Sequence, residues 1–355
     1  MKALILAGGT GIRLRPFTYS IPKQLVSIAN RPVLDYVIQS VRDAGITDIG
    51  LIVGTREDAF RAAVGDGARL AVRLTYLRQD RPLGLAHAVR LAHPFLGTSD
   101  FLMHLGDNYL SGGVAAAVRE FRDRRPAAQL VLHRVTDPRA FGVAEVRPDG
   151  RVTRVEEKPA RPRSDLAVTG AYLFTEAVHK AVEAIEPSAR GELEITDAVQ
   201  WLVDSGADVR GREHHGFWRD VGGVDDLLAV NREVLGGLPP AVRGDVDAAS
   251  ELRGRVVVER GARVIRSRVE GPAIIGAGTV VEDSRIDPAT SIGRDCVIRT
   301  AQLADSVVFD GARIEAIGAL SGSVIGRHAT IRTAEPDRTG HRLIVGDHTY
   351  VGTTR

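Results

Sequence analysis

Apolar and polar positions along this 355-residue chain follow two different rhythms. From residue 1 to about 235, short apolar runs alternate with stretches whose apolar residues recur every three or four positions. Ala3–Leu6, Ile49–Val53, Val72–Leu77 and Phe101–Leu105 read as buried strands. Val33–Ala44 reads as an amphipathic helix stopped by Gly45, and Gly84–Ala92 as a second helix. This alternation predicts an α/β domain with a mostly parallel sheet and helices on both faces. After about residue 250 branched apolar residues recur every six positions: Ile275 and Val281; Ile286, Ile292 and Ile298; Val308, Ile314 and Leu320; Ile325 and Ile331. No helix period fits that spacing. It predicts a parallel β-helix of hexapeptide repeats, its coils beginning at Val258, Ile275, Ile292, Val308 and Ile325. Thr333–Arg342 reads as an excursion loop, after which Ile344–Val351 resumes the pattern. Gly236-Gly237-Leu238-Pro239-Pro240 reads as the hinge, giving domains 1–240 and 241–355.

The first strand empties into Gly8, Gly9 and Gly11, and the cations Arg13 and Lys23 follow. Glycines let backbone N–H groups crowd against an anion, and the side-chain charges supply what backbone dipoles cannot. The pattern predicts a triphosphate held at a strand end; the plain alternative is an ordinary strand-to-loop turn. A P-loop is excluded, because Lys23 lies well past the glycines and after Pro16 and Pro22. A dinucleotide fingerprint is excluded too, because Arg13-Leu14-Arg15-Pro16 fills the place of its helix start. Gly106-Asp107-Asn108 also falls at a strand end, where sheets of this class bind ligands.

Composition narrows the function classes. Net charge is +2, which gives no field to draw nucleic acid or a membrane surface. Only Lys2, Lys23, Lys158 and Lys180 among the 47 basic residues are lysine, and two of them sit in the motif-like settings Pro22-Lys23-Gln24 and Glu157-Lys158-Pro159. A compact ammonium there points to sites that a planar guanidinium does not fit. The lone Cys296 cannot form an intrachain disulfide and reads as a buried apolar residue. Residues 1–7 run directly into the first strand, leaving no room for a signal peptide, and no apolar run approaches membrane-span length. The expected location is the cytoplasm.

These motifs, together with Gly191–Asp197 and Trp218-Arg219-Asp220, closely resemble those of glucose-1-phosphate thymidylyltransferases of the longer kind. The likeness covers essentially the whole chain. It implies a Rossmann-like nucleotidyltransferase domain followed by a left-handed β-helix. It also implies in-line displacement at the α-phosphorus of dTTP by glucose 1-phosphate, with Mg²⁺ as cofactor. By resemblance, Arg13, Lys23 and Lys158 are the catalytic cations, and Asp107 and Asp220 hold the metal. The plain alternatives are an Asx turn for Asp107 and a surface carboxylate for Asp220. The nucleotide falls to Leu6, Gly8, Gly9, Gly11, Gln79, Gly84 and Asp107, with Gln79 and Gly84 selecting the base. The sugar phosphate falls to Gly142, Glu157, Lys158, Val168, Tyr172 and Arg190, while Glu156 reads as solvated and Trp218 as a pocket wall or a core ring.

A Gln amide can match the N3–H and a carbonyl of thymine or uracil, so preference for thymidine is implied by the resemblance alone. UTP or another sugar 1-phosphate is the alternative substrate, and a non-catalytic sugar-nucleotide sensor the rival class. Ile12, Ser27 and Phe141 depart from residues common in the family, which bears on the sugar more than on the reaction. The β-helix is expected to build a homo-oligomer. The alternative is acyl transfer with His328 or His348 as base, both at outward hexad positions.

Overall fold

The computed structural model describes residues 1–333. By packing, the chain forms two compact units. One comprises Met1–Thr10, Pro22–Leu25 and Val33–Asp220; the other comprises Gly11–Ile21, Val26–Pro32 and the chain from Val221 onward.

The first unit is built on a nine-stranded sheet. Its elements in chain order are β1 (Lys2–Leu6), α1 (Val33–Asp43), β2 (Asp48–Val53), α2 (Glu57–Val64), β3 (Arg73–Arg78), α3 (Leu85–Leu91), β4 (Phe101–Leu105), β5 (Asn108–Leu110) and α4 (Ala115–Arg124). There follow β6 (Ala128–Arg134), β7 (Gly142–Val146), β8 (Val152–Glu157), β9 (Leu166–Phe174), α5 (Ala177–Ala184), α6 (Ile195–Asp204), β10 (Val209–Glu213) and β11 (Trp218–Asp220). The strand order β8-β7-β9-β4-β1-β2-β3 joins a parallel half, β4 to β3, to an antiparallel half led by β9. Apolar clusters cover both faces, one under α1 and α4, the other under α3 and α6. The six expected strands and helices of the parallel half appear close to their expected bounds. Gly45, at φ 78°, turns the chain out of α1 as its position suggests.

In the second unit every strand pairing from Ala241 onward among the described residues is parallel. Three faces recur. Val256–Val258 stacks under Ala273–Ile275 and Thr290–Ile292; Arg263–Ile265 under Val280–Glu282; Arg268–Glu270 under Arg285–Ile286. Val256 lies opposite Ala273 and Ala273 opposite Thr290, so one coil advances 17 residues rather than a full three hexads. The hexad residues Ile275, Val281, Ile286, Ile292, Ile298, Val308 and Ile314 are buried and fill the axis, and Cys296 joins them. Leu320 and Ile325 are only partly buried against this core. Serines sew one corner. Ser250 Oγ accepts from Ser267 N–H (3.0 Å), Ser267 Oγ from Ser284 N–H (3.0 Å) and Ser284 Oγ from Ala301 N–H (3.2 Å). The expected excursion loop, the resumed pattern at 344–351 and His348 lie outside the described residues.

The hinge reading needs correction. Gly236 and Gly237 are the last residues of α7 (Val224–Gly237), and the chain turns extended only at Leu238. The buried stripe Leu227, Val230, Val234 and Leu235 carries the helix through, outweighing the ~1 kcal/mol by which each glycine disfavours it. Asn231 on α7 is fully buried. Its Oδ1 accepts from Ala29 N–H (3.0 Å) and Ser291 Oγ (2.9 Å), and its Nδ2 donates to the Ala289 carbonyl (3.0 Å). One amide thus ties the helix, the Val26–Pro32 segment and the β-helix together within this unit. Replacing Asn231 by Ala should destabilise the protein by about 1–3 kcal/mol for each partner left buried and unpaired. Urea unfolding checks this; an unshifted midpoint contradicts the assignment.

Candidate active site

The parallel strands end in a row. Leu6 on β1 lies opposite Ile52 on β2 and Leu105 on β4, so all three strands finish at one level. Gly8 and Asp107 follow the ends of β1 and β4. Gln79 follows β3, its N–H still donating to the Val53 carbonyl (2.8 Å). Leu6 itself is buried in the core, and Gly106 N–H donates to its carbonyl (2.8 Å). Its side chain therefore belongs to packing.

Lys23 opens a short 3₁₀ turn, Lys23–Leu25, and is only 7% exposed. Its ammonium lies 2.7 Å from Asp107 Oδ2 and 3.1 Å from Asp220 Oδ1. Burial alone would lower its proton affinity; the two carboxylates outweigh burial and raise it. Asp220 reaches this point because β11 pairs antiparallel with β5, placing Asp220 opposite Asn108. Trp218 on the same strand is a core ring: its Nε1 donates to Asn108 Oδ1 (2.9 Å) and the Thr169 carbonyl (3.1 Å), and Phe141 stands edge-on to it. Among the described residues no cluster of three or more His, Cys, Asp or Glu could cage a metal. Asp107 and Asp220 nevertheless bring two carboxylates to one point. That donor set fits a hard cation such as Mg²⁺, which takes its remaining ligands from phosphate and water.

Gln24 was quoted in the sequence only as the end of a motif. It is buried, its Oε1 has no hydrogen-bond partner, and its Nε2 lies 3.4 Å from where a Cβ on Gly9 would stand. An unsatisfied buried acceptor on a side chain that packs against the glycine turn makes it a candidate site residue. No spacing signal could have separated it from a structural glutamine.

Gln79 and Gly84 do come together: Gln79 Nε2 lies 3.4 Å from the Gly84 carbonyl. Gly84, at φ 106°, is pressed against Leu193, where a Cβ would overlap the backbone. His87, three residues on, accompanies Gln79 and was missed in the sequence.

Among the residues expected to meet the sugar phosphate, Gly142 faces Glu157, whose Oε2 would lie 3.3 Å from a Cβ there. Glu157 accepts from Thr196 Oγ1 (3.2 Å) and neighbours Lys158 Nζ (3.5 Å) and Arg190 Nη2 (3.8 Å). Burial pushes its carboxyl up, only partly offset by Lys158. Lys158 is exposed and holds φ 44°, while its N–H donates to the Phe141 carbonyl (3.0 Å). A non-glycine residue in that region at the end of a strand is the kind of strain that accompanies function. Arg190 is bound first to Glu194, at 2.8 Å. That buried carboxylate is a third residue, after Gln24 and His87, that the sequence does not single out. Val168 and Tyr172 are buried in the core, Tyr172 with its phenol pushed far up by burial. Glu156 is exposed and paired with Arg154, as expected.

Arg13 and Gly11 belong to the second unit. Arg13 sits in a 3₁₀ turn, Ile12–Leu14, with its guanidinium against Gly222; Gly11 precedes it at φ 66°. His328 faces outward, as its hexad position requires. A groove of about 670 Å³ on the β-helix is lined by Arg266, Arg268, Asp283 and Arg285, whose charges are already answered by neighbouring carboxylates and arginines.

Residues 2–236 match the family model described as nucleotidyl transferase. The chain is 52% identical to a glucose-1-phosphate thymidylyltransferase of Streptomyces griseus over 348 residues, 98% of each chain. It is 52% identical to that of Streptomyces antibioticus over 352 residues, 99% of each chain. Among solved structures it resembles a glucose-1-phosphate thymidylyltransferase from Bacillus anthracis, at TM-score 0.61 and 37% identity, covering 65% of this chain and 94% of that one. With the glycine turn, the paired carboxylates and the buried lysine at one row of strand ends, the chain belongs to the nucleotidyl transferase family, among the glucose-1-phosphate thymidylyltransferases.

Proposed function

We propose that the protein transfers a thymidylyl group from dTTP to glucose 1-phosphate, releasing pyrophosphate and forming dTDP-glucose. The observation that carries the reading is the Lys23–Asp107–Asp220 cluster at the strand ends beside Gln79 and Gly8. An oxygen of the sugar phosphate forms a bond to the α-phosphorus while the bond to the β-phosphate oxygen breaks. The attacking oxygen is already anionic, so no side chain need remove a proton and no covalent enzyme adduct is needed. Catalysis is positioning and charge neutralisation, of which alignment alone can supply about 7–11 kcal/mol.

Lys23 holds the α-phosphoryl and the leaving pyrophosphate, and Arg13 keeps the phosphate-binding role that its motif suggests. Lys158 holds the sugar phosphate, Glu157 accepts hydrogen bonds from sugar hydroxyls, and Arg190 joins them. Asp107 and Asp220 would hold Mg²⁺. When bound, that ion neutralises charge that develops on the triphosphate oxygens. The meeting of both carboxylates at Lys23 supports this assignment. The proposed functional division is 1–240 for catalysis and 241–355 for a left-handed β-helix that assembles a homo-oligomer. The proposed location is the cytoplasm, in keeping with the absence, among the described residues, of any helix long and apolar enough to cross a membrane.

Asp107→Asn should lower kcat by at least about a hundredfold with an unchanged circular dichroism spectrum; undiminished pyrophosphate release sinks the metal role. Lys23→Met removes one partner from a buried ion cluster and should cost about 3–5 kcal/mol of stability as well as activity, read by thermal melting and pyrophosphate assay. Velocity should vanish in excess chelator and return with Mg²⁺. With glucose 1-phosphate, dTTP should give the fastest pyrophosphate release among the nucleoside triphosphates; a faster UTP reaction overturns the substrate assignment.

A further inference from the structure

Gln79 is the one amide at the base end of the site, and an amide can be read from either side. Its orientation decides what it recognises. Outward Oε1 accepts a proton from the base; outward Nε2 offers one. Among the described contacts, Nε2 lies between two acceptors. It is 2.9 Å from His87 Nδ1 and 3.4 Å from the Gly84 carbonyl, the second a long contact. Oε1 points the other way, toward Gly8, where a Cβ would stand 3.5 Å from it. None of the described residues donates a hydrogen bond to that oxygen. Gly8 has no side chain, so the oxygen looks into space at the end of β1.

We infer that His87 is a positioning residue: by accepting from Gln79 Nε2 it locks the amide with its oxygen toward the base, and so restricts the site to 2,4-dioxopyrimidines. This rests on the dTTP reading above and deepens it. Thymine and uracil carry a proton at N3 and meet the fixed oxygen with a donor. Cytosine carries a lone pair at N3, which would face the Gln79 oxygen with no proton between them. The second Nε2 hydrogen, held only by the long Gly84 contact, is free to turn to a ring carbonyl. Such a site rejects a mispaired base strongly because both polar groups are left unsatisfied. The lock requires a neutral imidazole with its proton on Nε2. Burial, and next the Arg90 charge, lower the proton affinity of His87 and favour that state. His87 occupies the third position of α3, is half-buried, and meets the site through Gln79 Nε2.

The test is steady-state kinetics of the full chain with dTTP and with dCTP, at saturating glucose 1-phosphate. His87→Leu leaves the amide free to turn. KM for dTTP should rise about tenfold and the preference for dTTP over dCTP should fall about tenfold. The kcat with dTTP and KM for glucose 1-phosphate should stay within about twofold. His87→Gln, whose carbonyl can accept in place of Nδ1, should restore most of the discrimination. His87→Lys, a donor only, should draw Oε1 inward and weaken discrimination further. If the leucine variant does not fold, the glutamine and lysine variants decide alone. Equal losses with both nucleotides, or a lysine variant as selective as wild type, overturn the inference. Failure of the wild-type protein to use dTTP at all overturns the function proposed above instead, so the two failures are told apart.

Discussion

A buried ammonium needs opposite charge, and much of the active unit is arranged around that requirement. Lys23 is stable at its depth only because Asp107 and Asp220 meet it. Those carboxylates come from distant parts of the chain. Asp107 is delivered by the end of β4. Asp220 is delivered by the short antiparallel pairing of β11 on β5, held in turn by Trp218 bonded to Asn108 and Thr169. The same cluster that answers the folding problem brings two carboxylates to one point at the strand ends. Stability and chemistry here are two consequences of a single electrostatic constraint.

The group around Glu157 follows a looser logic. Glu157 is kept partly dry, with one oxygen on Thr196 and the other near Lys158 and Arg190. Lys158 is exposed and its backbone is held in a left-handed conformation. Arg190 is anchored by Glu194, so its guanidinium has a fixed place before any ligand arrives. The charged groups are therefore oriented by one another, while Gly142 keeps the space over Glu157 open.

The second unit solves a different problem. A coil of three short strands has no core by itself; stacking at a 17-residue advance lines Ile275 with Ile292 and Val258, and the branched side chains close the axis. The corner serines satisfy backbone N–H groups that the turning chain takes out of the ladders. Asn231 extends that backbone satisfaction to α7 and to the Val26–Pro32 segment.

The sequence by itself determined the two architectures, because periodicity is a local property: alternating apolar runs for the sheet half, a six-residue recurrence for the coils. It singled out Gly8, Lys23 and Lys158 as candidates, because glycines at a strand end and rare lysines in motif settings stand out along the chain, while Asp107 and Glu157 came from the family resemblance. Only the tertiary structure decided what those residues do to one another. Nothing in the sequence places Asp220 on Lys23, leaves Gln24 with an unpaired oxygen, or turns the Gln79 amide with His87. It also decided against the glycine hinge, since burial of one face of α7 outweighs local propensity. Leu6, Val168 and Tyr172, read as pocket residues, are buried, and Val168 packs beside Gly142. The physical reason is common to all of these: direction, burial and pairing belong to three-dimensional neighbours, and a linear spacing carries none of them.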